Sequence, residues 1–203
     1  MQTIAARKRF HQHTRRRVRA LCGAVVFALV ALLAVAATAG ASTSPPSCPG
    51  AQLRPTHANV AAVDAATLCL IDGVRRTAHL SALRPNRDLQ HVAAGQSLEM
   101  VLGDFFGDDT RSGVTPLQRI LASRYPKHSA AVSTAQNIGW GTQSEATPTS
   151  ILAAWMSSPA HRRIILTGEF RDVGVGVTPA APAALAQGQP GATYTVDFGN
   201  RRR

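Results

Sequence analysis

At 203 residues and a formal charge of +11, the chain first suggests a binder of nucleic acid or of a membrane surface. The placement of the charge excludes the nucleic-acid reading: seven of the positive charges lie in the first 20 residues, three more are the terminal Arg201, Arg202 and Arg203, and the stretch between stays near +1. Three cysteines without CxxC spacing argue against a cysteine-based metal site.

The basic start is followed by an apolar run, Leu21 to Ala39, that closes on small residues in an A-x-A pattern at Ala37, Thr38 and Ala39. Residues 1–41 therefore read as a secretory signal peptide. Uncleaved, the same run is just long enough to act as an N-terminal anchor, the one way in which a membrane enters the reading. Cys22 sits at the start of the apolar run, so a lipoprotein fails on position. Removal of the leader leaves Cys48 and Cys69, and an even count in an exported chain predicts a disulfide. Closing a loop of about 20 residues is worth roughly 3 kcal/mol in the chain-entropy picture.

Residues 42–57 (STSPPSCPGAQLRPTH) form an irregular lead-in rich in Ser and Pro. From Asn59 onward Val60, Val63, Thr67, Leu70, Ile71 and Val74 recur at helical spacing. A turn at Pro85 and Asn86 opens a second helix with Leu89, Val92, Ala93, Gln96 and Met100 on one face. Gln96 is either a buried amide with local partners or a group at the rim of a cleft. Three further helix starts are written as hydroxyl then proline: Thr115-Pro116, Thr147-Pro148 and Ser158-Pro159. The hydroxyl accepts from an orphan backbone N–H, and proline has none to orphan. Strands are predicted at about 134–140, 171–178 and 192–199, with Pro179 to Ala192 a loose connection between the last two. Helices and strands do not alternate as βαβ units. The pattern predicts an α+β fold in one domain over residues 58–200, with 201–203 as a basic tail.

Four segments carry more than secondary structure: AQNIGWG (Ala135 to Gly141), WMSSPAHRR (Trp155 to Arg163), RDVGVGV (Arg171 to Val177) and TYTVDFG (Thr193 to Gly199). In this order they resemble the CAP superfamily (cysteine-rich secretory proteins, antigen 5, pathogenesis-related 1; the SCP-like extracellular domain) in its short bacterial form. The resemblance runs from Asn59 to Gly199 and implies a helix–sheet–helix sandwich around a small, mainly antiparallel sheet. It also implies a central cleft where many members present two histidines and two acids, in some able to hold a divalent metal. The matching positions here are Asp108 in FFGDDT, Gln136, Ser158 and His161. Asp108 and His161 are strong donors, but a carboxamide and a hydroxyl are poor ones, so no metal and no cofactor is expected. His161 is expected to be structural, its ring bonded to the Gln136 amide, with Gln136 and Asn137 as a polar latch between strand and helix. Trp140 and Trp155 are expected in the core.

Other enzyme templates, GxSxG, HExxH and the phosphate-binding glycine loops, are absent. His57, His79, His91 and His128 lack metal-like spacing and read as surface groups. The resemblance thus implies a secreted or cell-envelope domain that binds without turnover. Its ligand would be a lipid or other small apolar molecule, or an envelope partner, held in or near the central cleft. Two alternatives stand beside it: a metal-assisted or acid–base hydrolase using His161 and Asp108 as catalytic groups, and an exported module that serves protein contact alone.

Overall fold

The computed structural model describes residues 47–202. The leader reading of residues 1–41, the first residues of the lead-in and Arg203 lie outside the described residues. Among the described residues no helix is long and apolar enough to cross a membrane.

The first helix, α1 (Val60–Thr77), buries Val63, Thr67, Ile71 and Arg75, a stripe repeating every four residues. A two-residue strand, β1 (Arg84–Pro85), leads into α2 (Arg87–Leu102). Asn86 caps α2, its side-chain oxygen accepting from the N–H groups of Asp88 and Leu89 at 3.0 and 3.1 Å. The short α3 (Pro116–Ala122) opens on a full capping box between Thr115 and Gln118. After β2 (Ala131–Thr142) and a 3-10 turn, α4 (Pro148–Ser157) is capped by Thr147. Ser158 precedes α5 (Pro159–Ile165) at the N-cap position, but its side chain makes no capping hydrogen bond. So only two of the three expected hydroxyl caps form. The chain closes with β3 (Asp172–Thr178), a single turn of helix α6 (Ala183–Ala186) and β4 (Gly191–Arg202).

The sheet order is β1-β3-β4-β2, with β4 antiparallel to both β2 and β3 and β1 parallel to the start of β3. Side chains alternate along each strand, so register assigns every residue to one of two faces. On one face Val173, Val175 and Val177 of β3 and Tyr194, Val196 and Phe198 of β4 join the main core with Ile71, Ile151 and Trp155. Helices α1, α4 and α5 cover that side. On the other face β3 presents Gly174 and Gly176, and α2 comes down onto them. A Cβ at Gly174 would lie 2.1 Å from the backbone of Leu89 and Gln90, and one at Gly176 would lie 2.1 Å from the Ala94 nitrogen. The GVGV motif is therefore two instructions interleaved: valines fill a core on one side, and glycines admit a helix backbone on the other. The result is the helix–sheet–helix sandwich expected from the sequence.

Cys48 and Cys69 are joined, with Cα atoms 5.7 Å apart, which ties the lead-in to α1. Thr149 at the start of α4 holds the same segment by donating its N–H and its hydroxyl to the Ala51 carbonyl at 3.0 and 2.9 Å. Trp155 is buried as expected and donates its indole N–H to the Ile138 carbonyl at 2.7 Å. Trp140 is not in the core; it is half-buried on the α2 face of β2. Arg201 and Arg202, read as a basic tail, instead extend β4 and pair in register with Val132 and Ala131. The Pro179–Ala192 connection is more ordered than its composition suggested. It carries α6, and its Ala184 N–H donates to the Asp104 carboxylate at 2.8 Å.

Arg75 is the unforeseen member of the core. Its side chain is fully buried and donates to four backbone carbonyls, those of Ser81, Ile165, Thr167 and Phe170, at 2.7 to 3.4 Å. One guanidinium thus fastens the end of α1 to the whole α5–β3 connection.

Candidate functional site

Gln136 and Asp197 stand directly opposite each other on β2 and β4, on the face that α2 covers. The Gln136 amide nitrogen donates to Asp197 Oδ1 at 2.8 Å, and the amide oxygen accepts from Arg119 Nη2 at 3.3 Å. Arg119 reaches in from α3 and also donates to the carbonyls of Asp108 and Val114, at 2.9 and 2.8 Å. Gln96 of α2 donates to the carbonyls of Gly107 and Asp108 at 2.9 and 3.3 Å. Gln96 is thus the buried amide with local partners, not the rim group. Together these contacts stitch the loop between α2 and α3 onto the sheet.

The chemistry favours an amide over an acid at position 136. A Glu there would set two carboxylates face to face across the strand pair, whereas Gln offers a donor to Asp197 and an acceptor to Arg119. Asp197 is fully buried, and burial pushes its carboxyl up to about 7 against the pull of Gln136 and Arg119. Burial also lowers the Arg119 guanidinium, opposed by the nearby charges of Asp197, Glu99, Asp109 and Asp108. Asp197 Oδ2, Arg119 Nε and Gln96 Oε1 have no partner among the described residues.

This arrangement has a pH signature. An unfolded Asp titrates near 3.9, so between about pH 4 and 7 the folded chain holds a proton on Asp197 that the unfolded chain has lost. Stability therefore falls as pH rises through that interval. Thermal melts across pH 4 to 8 are expected to show this decline; because burial raises the Asp64 carboxyl to about 7 as well, Asp197→Asn, which keeps the shape and removes the charge, should reduce the slope by about half. An undiminished slope in that variant would place the titration elsewhere.

The sequence-derived site does not assemble as expected. Gln136 and Asn137 are neighbours on a strand and so face opposite sides of the sheet. Asn137 points toward α5 and donates to the backbone carbonyl of His161 at 3.2 Å. The latch between strand and helix is real, but it uses Asn137 alone and the His161 main chain. The expected bond from the His161 ring to Gln136 does not form, since Gln136 is engaged by Asp197 on the far side. Ser158 is half-buried at the start of α5, on the side of His161. Asp108 is exposed, and only its carbonyl enters the polar network. The five expected cleft residues are thus split across the sheet.

One consequence concerns His161→Ala. The latch accepts on a backbone carbonyl, so this variant should melt within about a degree of the parent. Asn137→Ala should cost about 1–3 kcal/mol by unpairing buried groups, several degrees for a domain of this size. A large loss in His161→Ala would contradict the geometry. Among the described residues no three His, Cys, Asp or Glu side chains converge as metal ligands. With Arg119 as the cation beside Asp197, and His161 and Asp108 apart, the residues present do not fit a divalent metal in the cleft.

Apolar space lies to the side. A groove of about 300 Å³ opens between α1 and α2 along the edge of β3, lined by Ala61, Ala65, Leu68, Pro85, Val173 and Val175. β1 covers only the first two residues of β3, which leaves this edge open. Asp64 sits in the groove with Oδ1 unpartnered and Oδ2 3.5 Å from the Gln90 amide. Burial pushes its carboxyl up to about 7. An apolar recess of about 390 Å³ beside Pro55, Ala146 and Pro190 has only the exposed Arg54 and Thr56 as polar side chains. Nothing buried there orients a ligand.

The model of the family described as "CAP: Cysteine-rich secretory protein family" matches residues 68–184. Among solved structures the chain is similar to an outer surface protein of Borrelia burgdorferi, with TM-score 0.53 and 19% identity over 66% of this chain and 90% of that one. It is also similar to an extracellular protein containing an SCP domain from Bacillus anthracis, with TM-score 0.54 and 22% identity over 73% of this chain and 44% of that one. A cysteine-rich secretory protein of Staphylococcus aureus gives TM-score 0.51 and 19% identity over 73% and 42%. The chain thus spans most of the Borrelia protein and less than half of the other two. At these identities the likeness concerns the fold. No curated protein matches the chain in sequence.

Proposed function

The chain belongs to the cysteine-rich secretory protein (CAP) family, and from that premise we propose that it is an extracellular domain that binds a small apolar ligand without turning it over. The observation that carries this reading is the groove between α1 and α2, where Leu68, Pro85, Val173 and Val175 make an apolar wall beside Asp64, with Asn86 and Gln90 as the other polar lining residues. Asp64, with its carboxyl pushed up to about 7 by burial, is about half protonated at neutral pH, and in that form can donate to the hydroxyl or carbonyl head of a ligand whose chain lies on the valines. Apolar lining with a few placed polar groups is the usual composition of a small-molecule site.

Two further observations favour binding over hydrolysis. His161 and Asp108, the pair an acid–base mechanism would use, stand on opposite sides of the sheet. The carboxyl with a shifted pKa in the central network, Asp197, has no exposed surface. Extracellular placement draws on the leader-like start of the chain and on its similarity to an outer surface protein and an extracellular protein.

Native mass spectrometry of the exported protein tests the reading. The expected spectrum shows the mature chain with its disulfide, carrying an adduct in the mass range of a lipid or similar apolar molecule. That adduct should be absent from Ala65→Trp, which fills the groove from the exposed side of α1. A bare protein that also takes up no added lipid would sink the proposal.

A further inference from the structure

We propose that a second, basic pocket at the foot of β1 and β3 binds a phosphomonoester. This cavity of about 520 Å³ is lined by Arg84, Lys127, His128, Ser129, Asp172 and Arg201, among others. Its organising group is Asp172, a buried carboxylate that accepts from the Tyr125 hydroxyl at 3.0 Å. Asp172 lies 3.4 Å from Arg84 Nη2 through one oxygen and 3.4 Å from Arg201 Nε through the other. Arg201 is further fixed by stacking 4.8 Å over the Tyr125 ring and by a 3.4 Å contact from its Nη1 to the Tyr125 carbonyl.

These contacts position the two guanidiniums without consuming them. At 3.4 Å both pairs are longer than the roughly 2.7–2.9 Å of a full charge-assisted hydrogen bond, and the Arg84 side chain is 74% exposed. Lys127 has no ion-pair partner among the described residues. Three cations against one carboxylate leave the pocket with an excess of two positive charges, His128 counted as neutral. A phosphomonoester carries about −1.5 to −2 at neutral pH and three acceptor oxygens, and the fork of an arginine suits such an oxyanion. The cavity is larger than a bare phosphate, so an organic substituent fits beside it. This site adjoins the apolar groove, with which it shares Pro85 and Asn86, but its charged groups lie outside the groove and its test does not involve Ala65 or Asp64.

The phosphomonoester can come from a free metabolite or from a phosphate-bearing lipid head. The exported protein is titrated at low ionic strength with inorganic phosphate, with glycerol 3-phosphate, and with phosphatidylcholine vesicles with and without phosphatidic acid. The variant is Arg84→Gln/Lys127→Gln, which leaves Asp172, Tyr125 and Arg201 intact. The control, Arg162→Gln/Arg163→Gln, removes the same charge from α5. Saturable binding that weakens about tenfold or more in the variant, as expected for the loss of charge-assisted bonds, and less than about twofold in the control supports the proposal. If soluble phosphates show this pattern the ligand is a free phosphomonoester; if only phosphatidic acid vesicles do, it is a lipid head. Equal weakening in variant and control, or no saturable binding of any probe, overturns it.

Discussion

Replacing Arg75 by alanine is expected to destabilise the fold by about 3–5 kcal/mol, the scale for removing one partner of a buried charged network. Four carbonyls, of Ser81, Ile165, Thr167 and Phe170, lose their shared donor at once. Those on the α5–β3 connection are distant in sequence from α1, so the loss also frees a long segment from the core. The melting temperature should fall by roughly 6–20 °C for a domain of this size. Arg75→Met separates the contributions: it restores most of the volume but none of the donors, and should fall between the parent and the alanine variant. A shift below about 1 kcal/mol in Arg75→Ala would mean that the carbonyls find other donors.

The second large effect is expected at the glycines of β3. Gly174→Ala and Gly176→Ala each drive a Cβ to 2.1 Å from α2 backbone atoms, and no rotamer change can relieve a clash with backbone. Overpacking that side chains can absorb costs about 1–3 kcal/mol; here the whole helix must lift from the sheet. Lifting it breaks the Ser97 hydroxyl contacts to the Gly176 carbonyl and to Thr195, both 2.8 Å. The double variant should not fold, since domain stabilities are about 5–15 kcal/mol in total. Gly95 supplies the control on the same helix: a Cβ there meets nothing within 4 Å, and alanine should stabilise by about 0.5–1 kcal/mol. Circular dichroism melts of the three single variants decide it. Gly174→Ala melting with Gly95→Ala would contradict the close approach of α2.

The same glycines show what was legible in the sequence. Alternation of Val with Gly in β3 and of Tyr, Val and Phe with Thr and Asp in β4 signals one apolar face, and the structure places that face on the main core. The small residues on the opposite face signal helix packing only when paired with the knowledge that α2 lies there, which is a tertiary fact. For that reason Asp197 reads in sequence as the solvent side of a half-buried strand, yet it is fully covered. Arg75 carried a local signal: it continues Val63, Thr67 and Ile71 at four-residue spacing, and a charge on a buried stripe marks a buried contact.

The site was less legible than the fold. Motif matching placed Gln136 and His161 in one cleft, although strand alternation next to Asn137 sends Gln136 to the far face. Arg119 had no signal, because it lies on a seven-residue helix too short to define an apolar stripe and reaches its partners through a long side chain. Asp64 was equally silent, since its burial comes from α2 and β3 packing against α1.

The most direct test of binding in the groove between α1 and α2 is a titration of the exported protein with a long-chain alcohol, dodecanol, followed by intrinsic tryptophan fluorescence and by thermal shift. Saturable binding is expected in the parent and in His161→Ala, and should be lost in Ala65→Trp while that variant keeps its fold. Binding that survives in Ala65→Trp, or that disappears in His161→Ala with the fold intact, would contradict the groove and place the site beside α5 instead.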